Sequence, residues 1–216
     1  MAPEATDPTL DQLIEAIRAC RRCRDAPDGV PLPHEPRPIV RASATARIAV
    51  FSQAPGVRVH ASGIPFSDPS GVRLRAWMDV TPEELYDIRR VAIVPMGFCF
   101  PGHDSQGGDL PPRPECARQW RERVMAHMSG IELALLIGQH AQRWHLSVLR
   151  GQRLGDTMRH WRTLLETDRR PRLLPLPHPS WRNNAWLTRN PWFEAEVLPV
   201  LRHTVRQLLD TPKTLE

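Results

Sequence analysis

Four short apolar runs constrain the fold of this chain more than any other feature of its sequence. They cover residues 48–51, 91–94, 133–137 and 173–176. Continuous apolar runs of this kind are typical of strands that are buried on both faces of a parallel sheet. Because stretches with helical periodicity separate the runs, the sequence favours an α/β fold in which helices cover both faces of the sheet.

The segments between and around these runs carry helical patterns. They lie around residues 70–89, 115–128, 138–167 and 191–209. A further amphipathic helix is expected near the N-terminus, where apolar residues recur at helical spacing from Leu10 to Ile17.

The remaining stretches contain no boundary between domains. Residues 25–46 are rich in proline and show no clear period, so we expect an extended loop there. No linker-like segment divides the 216 residues, which predicts a single domain over 1–216 with a core at about 10–209.

Composition limits the location and the partners of the protein. The net charge of +5 comes almost wholly from arginine, since Lys213 is the only lysine, and it permits an acidic partner such as nucleic acid without requiring one. Residues 1–7 are polar rather than signal-like, and no apolar run is long enough to span a membrane. We therefore expect a cytoplasmic protein with no membrane partner, in which cysteines are metal ligands or buried thiols rather than disulfides.

Two turn motifs follow apolar runs and mark a candidate ligand site. Ser52–Gly56 reads Ser-Gln-Ala-Pro-Gly and follows the run 48–51, while His178–Ser180 reads His-Pro-Ser and follows the run 173–176. Both turns would open at the carboxyl edge of a parallel sheet, where ligands bind. The proline and glycine of the first turn would stiffen it and let its backbone approach a ligand, and the second turn offers an imidazole.

The four cysteines form a second candidate site. Cys20 and Cys23 make a C-x-x-C pair at the end of the first predicted helix. Cys99 follows the second apolar run, and Cys116 comes after a segment rich in Gly, Pro and Asp. Four thiolates suit a tetrahedral zinc or an iron–sulfur cluster. On spacing alone, shared metal ligation remains open, and so does an incidental placement of Cys99 and Cys116.

The order of these landmarks resembles the uracil-DNA glycosylase superfamily, and most closely its family 4 branch, whose members carry a 4Fe-4S cluster. The shared pattern is a C-x-x-C pair, an A-P-G turn after a strand, the segment Gly63–Phe66, two later cysteines and an H-P-S motif. The resemblance extends over roughly residues 10–205. It implies a three-layer α/β/α fold with a central four-stranded parallel sheet.

The resemblance also implies a cofactor. The positions of the four cluster ligands correspond here to Cys20, Cys23, Cys99 and Cys116. A 4Fe-4S cluster with a structural role near the DNA-binding surface becomes the favoured interpretation, and a zinc ion is the alternative.

For the active site, the resemblance assigns His178 as the residue that would donate a hydrogen bond to uracil O2 as charge develops on the leaving base. Phe66 would stack on the flipped base. The backbone of Gln53, Ala54 and Gly56 would line the uracil and the neighbouring phosphate. The structural alternatives are a histidine that caps a strand end and a core phenylalanine.

Four residues follow His178 in the chain, namely Pro179, Ser180, Trp181 and Arg182. They would enter the minor groove or contact phosphates beside the flipped nucleotide. Trp181 could instead anchor the loop to the last helix. Residues 68–71 should begin a helix with Asp68 or Ser70 as its N-cap, and the backbone N–H groups there could face a phosphate.

Two departures from the family pattern concern catalysis and base selectivity. Family 4 has Glu where this chain has Gln53, and Ala54 stands where the first glycosylase family has a catalytic Asp. His60 is the expected substitute, as a general base or as an electrostatic group near the sugar, although a solvated loop histidine fits the sequence equally. The segment before the third cysteine lacks the Asn that binds the Watson–Crick edge of uracil, so backbone groups of Met96 and Gly97 would replace it.

The sequence thus predicts a monofunctional DNA glycosylase that removes uracil, or a related deaminated base, and leaves an abasic site. The alternative is a DNA- or abasic-site-binding protein of the same fold with weak or no hydrolysis. This alternative stays open because Gln53 and Ala54 provide no acid in the turn. In both cases the partner is DNA that contains uracil or another deaminated base, and we expect a monomer.

Overall fold

A central sheet of four strands organises the protein, which we describe from a computed structural model over residues 8–146 and 154–211. The strands are β1 (Ile48–Phe51), β2 (Val91–Ile93), β3 (Leu133–Ile137) and β4 (Arg172–Leu176). Their order across the sheet is β2-β1-β3-β4, and every pairing is parallel. All four predicted strands are therefore present.

The α-helices of the described residues lie before, between and after the strands. In chain order they are α1 (Leu10–Arg18), α2 (Arg22–Asp25), α3 (Val57–Ser62), α4 (Pro69–Met78), α5 (Pro82–Tyr86), α6 (Pro114–Ala126), α7 (Gly138–His145), α8 (Leu154–Arg159), α9 (Trp161–Leu165), α10 (Asn184–Arg189) and α11 (Leu198–Asp210). None of these helices is long and apolar enough to cross a membrane.

Alternate residues of β1 enter two separate hydrophobic cores, because successive side chains of a strand point to opposite faces of the sheet. Ala49 and Phe51 belong to a first core, which α1, α6 and α7 complete. Ile48 and Val50 belong to a second core, which α4, α5, α9 and α11 complete. Helices thus cover both faces of the sheet, and the predicted three-layer α/β/α fold is confirmed.

The proline-rich segment before β1 protects the edge of the sheet. Arg41 and Ile93 exchange two backbone hydrogen bonds of 2.9 and 2.7 Å in an antiparallel bridge beside β2. Ile39 donates a further bond of 2.7 Å to the carbonyl oxygen of Phe98. An extended chain on an edge strand occupies hydrogen-bonding groups that would otherwise be open to another molecule.

Helices are shorter than the periodicity of the sequence indicates. Asp79 adopts the left-handed conformation (φ 55°), which ends α4, and Thr81 starts α5 through a capping box with Glu84. The pattern predicted over 138–167 contains α7, α8 and α9, and residues 147–153 lie outside the described part. The pattern over 191–209 begins with a π-helical turn, Phe193–Val197, that continues into α11.

A cationic side chain is buried in the first core. Arg121 is 1% exposed, and its guanidinium carbon lies 4.6 Å from the centre of the Phe51 ring. The ring of His145 stacks on the same phenylalanine at 4.5 Å, and its Nε2 atom pairs with Nη2 of Arg121. Burial, and to a lesser extent Arg121, lowers the pKa of His145 to about 3. His145 is therefore a neutral acceptor for this arginine.

The burial of His145 predicts that the fold is sensitive to acid. Because the unfolded chain has the ordinary histidine pKa of about 6.5, it takes up this proton more readily than the folded protein, and the free energy of unfolding should decrease as the pH falls below about 6.5. His145→Gln, whose amide oxygen can accept from Arg121 without titrating, should remove part of this decrease. Urea denaturation at a series of pH values measures it, with His203→Gln on the exposed face of α11 as the control. Identical pH profiles for the three proteins would contradict the prediction.

Candidate active site

Two backbone hydrogen bonds tie the turn after β1 to the segment after β2. The N–H groups of Met96 and Gly97 donate to the carbonyl oxygens of Ser52 and Gln53 over 2.8 and 2.9 Å. They hold the turn Ser52–Gly56 in place directly before α3. Both N–H groups therefore form hydrogen bonds within the protein. Of the backbone groups of Met96 and Gly97, only the carbonyl groups could bind a base.

The turn forms one wall of a pocket of about 530 Å³. The predicted site residues that line this pocket are Gln53, Ala54, Gly56, Phe66, Ser70 and His178. These residues follow β1 and β4 or lie between β1 and β2, so the parallel sheet brings them together at its carboxyl edge. Met96 and Gly97 do not line the pocket.

His178 is partly buried in the pocket wall, where Asn183 holds its backbone and Gly138 lies close to its Cβ atom. Asn183 Nδ2 donates to the His178 carbonyl oxygen over 2.7 Å, and a Cβ atom on Gly138 would lie 3.6 Å from the His178 Cβ. Burial lowers the pKa of His178, while the carboxylates of Asp68 and Asp109 oppose this shift. The imidazole is therefore neutral at pH 7 and carries one donor and one acceptor nitrogen.

Phe66 is held in the pocket wall in a strained backbone conformation. It is 7% exposed and has φ 55°, which is rare for a bulky residue. The Tyr86 hydroxyl donates to the carbonyl oxygens of Pro65 and Phe66 over 2.9 and 3.2 Å. The first turn of α4 packs so closely that a Cβ atom on Gly71 would lie 1.7 Å from the Phe66 carbonyl oxygen.

Gly71→Ala should therefore disturb both the fold and the pocket. The methyl group has no space beside the backbone of Phe66, and overpacking of this kind costs about 1–3 kcal/mol in the free energy of unfolding. Gly29→Ala is the matched control, because a Cβ atom there would meet nothing within 4 Å. Chemical denaturation compares the two variants, and a Gly71→Ala protein as stable as the control would contradict the packing described here.

The pocket opens into a wider groove along which the predicted DNA-binding residues lie. The groove is lined by Pro179, Ser180, Trp181 and Arg182, and by Ser70. Trp181 is 73% exposed, so it does not pack against the last helix. Arg58 and Arg73 line the same groove, and Arg73 Nη1 donates to the Ser180 carbonyl oxygen over 3.2 Å.

His60 does not line the pocket. Its ring centre lies 4.3 Å from that of His34 and 5.9 Å from that of Phe100. Burial is the main cause that lowers the pKa of His60, and His34 and Arg37 add to it. His60 thus joins α3 to the proline-rich segment and lies outside the lining of the pocket.

The lining of the pocket includes two carboxylates, Asp68 and Asp109, that the sequence does not reveal as site residues. Asp68 is predicted only as a helix cap, and it does accept from the Gly71 N–H of α4 over 3.3 Å, but it also faces the pocket. Asp109 lies in a segment with neither helical nor strand periodicity. A Cβ atom on Gly56 would come within 3.3 Å of Asp109 Oδ2, so the carboxylate lies directly over the turn after β1. The one local signal for its position is the Gly107-Gly108 pair before it, which marks a tight turn.

The four cysteines come together at a second cavity, of about 400 Å³. Its cysteine lining consists of Cys20, Cys23, Cys99 and Cys116, all of them free thiols. Among the described residues, no three His, Cys, Asp or Glu side chains are arranged to hold a metal ion as they stand. Gly97 lines this cavity, while its hydrogen-bond partner Gln53 lines the pocket, so one segment connects the two sites.

The surroundings of the cysteines favour thiols over thiolates when no cation is bound. Burial is the main cause that raises the pKa of Cys23 to about 11 and that of Cys99 to about 12, and it raises the pKa of Cys116 further. A metal centre reverses this preference, because a coordinated thiol loses its proton. Four convergent thiols around a cavity therefore fit a thiolate-bound group by number and chemistry.

A comparison with protein families agrees with the fold and with the pocket. The family described as the Uracil DNA glycosylase superfamily matches residues 40–202, which is most of the chain. The matched span contains the four strands and all residues of the pocket except Ile39. The chain therefore belongs to the uracil-DNA glycosylase superfamily.

This membership supports a general function in DNA repair, as a hydrolase of the uracil-DNA glycosylase type. The match begins after Cys20 and Cys23, so it does not bear on the C-x-x-C pair.

Proposed function

We propose that the protein hydrolyses the N-glycosidic bond of uracil, or of a related deaminated base, in DNA and leaves an abasic site. The observation that carries this proposal is the meeting of Gln53, Phe66 and His178 at one pocket on the sheet edge. Enzymes that act on a base must take it out of the stack, and they read it by hydrogen bonds and by contact with aromatic or apolar side chains. This pocket offers both kinds of contact.

The neutral imidazole of His178 suits the chemistry of the leaving base. When the glycosidic bond breaks, its electron pair passes to the base, and negative charge develops on the carbonyl oxygens of uracil. An N–H group aimed at such an oxygen stabilises the transition state more than the ground state. Since burial lowers the pKa of His178, it would donate this hydrogen bond as a neutral imidazole, through its single N–H group.

Two polar side chains of the pocket can recognise the base. The amide of Gln53 offers a donor and an acceptor, and the buried hydroxyl of Ser70 offers either. An amide can pair with the adjacent N–H and carbonyl groups of uracil. Gln53 would thus take the recognition role for which the segment before Cys99 has no Asn.

The groove around the pocket provides the contacts that an extruded nucleotide requires. The exposed Trp181 can fill the gap that the flipped base leaves in the stack, as inserted apolar side chains do in DNA-bending proteins. Arg58, Arg73 and Arg182 along the groove can neutralise phosphates on both sides of this position.

His178→Ala should lower the single-turnover rate of uracil release from an oligonucleotide about 100- to 1,000-fold, the usual effect of removing one transition-state donor. His203→Ala, an exposed change on α11, should leave the rate unchanged. Because the pKa of His178 is lowered, the wild-type rate should stay level as the pH falls through about 6.5 and should drop only at more acidic pH. Alkaline cleavage of the abasic product on a gel measures all three rates.

The same experiment separates the enzyme from the alternative function. A protein that shifts uracil- or abasic-site DNA on a native gel, yet releases no base in the presence of a large protein excess, would be a binding protein. The turn after β1 supports this alternative, because it carries Gln53 and Ala54 in place of an acid. Unchanged cleavage by His178→Ala would contradict the role given to this histidine.

We further propose that the cysteine cavity holds a 4Fe-4S cluster, with zinc as the alternative. Four cysteine thiolates are the usual ligands of such a cluster, and Cys20, Cys23, Cys99 and Cys116 all line this one cavity. Such a group would supply a structural crosslink between the N-terminal helices, the segment after β2 and α6. The cationic Arg113, which lines the cavity, would offset part of its negative charge.

Protein purified without oxygen should accordingly be brown and contain iron and sulfide. Cys116→Ser should lose the colour and the bound iron. Its melting temperature should fall, because a group that binds only the folded protein stabilises it, and this variant would no longer bind the group. His178→Ala is the control, since it leaves the four cysteines intact and should keep the cluster. A colourless protein that contains stoichiometric zinc would support the alternative instead.

A further inference from the structure

We propose that Asp109 is the catalytic carboxylate of this protein and takes the place of the acid that is missing from the turn after β1. The inference rests on the glycosylase function proposed above and names the group that acts on water and on the sugar. Asp109 comes from a different part of the chain, the segment between Cys99 and Cys116.

A tight hairpin fixes the backbone of Asp109. His103 and Asp109 face each other in an antiparallel bridge, and Leu110 N–H donates to the Gly102 carbonyl oxygen over 2.9 Å. At the tip, the side chain of Asp104 accepts from the N–H groups of Gln106 and Gly108 over 2.9 and 2.8 Å. A carboxylate placed by a closed hairpin is positioned far better than one on an open loop.

The hairpin directs this carboxylate at the turn after β1. Asp109 Oδ2 would lie 3.3 Å from a Cβ atom on Gly56, so the absence of a side chain at position 56 makes the approach possible. Asp109 also lines the same pocket as His178 and acts on that imidazole through space, since its charge opposes the lowering of the His178 pKa. A base held between Phe66 and His178 would therefore have its sugar close to Asp109.

Oδ1 of Asp109 lies beside His103, and Oδ2 lies beside Gly56 in the pocket wall. Oδ1 lies 3.3 Å from His103 Nδ1, and the side chain is 32% exposed, so solvent reaches it. The His103 ring packs edge-on against Phe100 at 4.9 Å, and Phe100 in turn contacts His60. His103 is thus a positioning residue, and His60 supports the hairpin through this row of rings.

The other carboxylate of the pocket is less suited to the task. Asp68 accepts from the Gly71 N–H as the N-cap of α4, which occupies one of its oxygens. It is anchored at the start of α4, two residues beyond Phe66. Asp109 has no capping function, and it reaches the pocket from the side of the turn where related glycosylases carry their acid.

The proposed reaction is the hydrolysis of the C1′–N1 bond. The C1′–N1 bond breaks, and its electron pair leaves with the base, whose oxygen accepts a hydrogen bond from His178. The negative charge of Asp109 stabilises the cationic sugar, and a water oxygen forms the new bond to C1′ while Asp109 accepts a proton from that water. This proton finally passes to solvent or to the base anion, and the products are the free base and an abasic site.

Asp109→Asn keeps the size of the side chain and removes its charge and basicity. We expect single-turnover cleavage of uracil DNA to fall about 100- to 10,000-fold, the range typical of a lost general base. Binding of an oligonucleotide with a stable abasic-site analogue should be unchanged, since the product does not need the carboxylate. Asp11→Asn on the exposed face of α1 is the matched control and should cleave like the wild type.

Chemical rescue distinguishes a catalytic carboxylate from a structural one. Added formate should restore part of the activity of Asp109→Ala, because a small carboxylate can enter the space that the side chain leaves, whereas Asp11→Ala should not respond. If the wild type cleaves and Asp109→Asn cleaves within about twofold of it, the inference is overturned while the proposed function stands. Activity lost in Asp68→Asn but kept in Asp109→Asn would also overturn it. A wild type that cleaves none of the deaminated bases would overturn the proposed function itself.

Discussion

Two backbone hydrogen bonds, from Met96 and Gly97 to Ser52 and Gln53, are the contacts on which the rest of the site depends. They join the ends of β1 and β2 beyond the sheet and so fix the turn that forms the pocket wall. The same segment continues through Cys99 and the hairpin and ends at Cys116 in α6. In the proposed function, a cluster bound by these cysteines would anchor both ends of the hairpin that carries Asp109. The cofactor would then act on catalysis only through the position of this hairpin.

Charge is distributed across the site in a way that matches the proposed reaction. The groove carries Arg58, Arg73 and Arg182, which suits the phosphates of bound DNA. The pocket itself carries two carboxylates, Asp68 and Asp109, which suit a sugar that becomes cationic. His178, which is neutral, lines the same pocket. In the proposed function, the arginines of the groove would bind the phosphates of the strand, the carboxylates would stabilise the reacting carbon, and His178 would stabilise the leaving base.

Much of this architecture could be predicted from the sequence, because local signals fix it. Apolar runs such as 48–51 and 133–137 can be buried only as inner strands, and motifs placed after such strands meet at the carboxyl edge. The position of His178 and of the turn after β1 follows from this rule. The chain-wide order of the motifs identified the superfamily.

Features that depend on tertiary contacts could not be predicted. The left-handed Asp79 interrupts a regular helical pattern, and no periodicity signals it. Asp109 reaches the pocket only because a hairpin folds back over Gly56, and the distance of the two residues along the chain conceals this contact. His60 lies next to the motif turn in sequence, yet its ring packs on His34 and away from the pocket.

A crystal structure with DNA that carries an uncleavable deoxyuridine analogue would show where the reacting nucleotide binds. We expect the extruded base to lie against Phe66, with a uracil oxygen within hydrogen-bond distance of the His178 imidazole and C1′ beside the Asp109 carboxylate. Trp181 should occupy the vacated position in the duplex. An analogue that remains stacked in the helix, or that binds away from this pocket, would contradict the roles proposed for these residues.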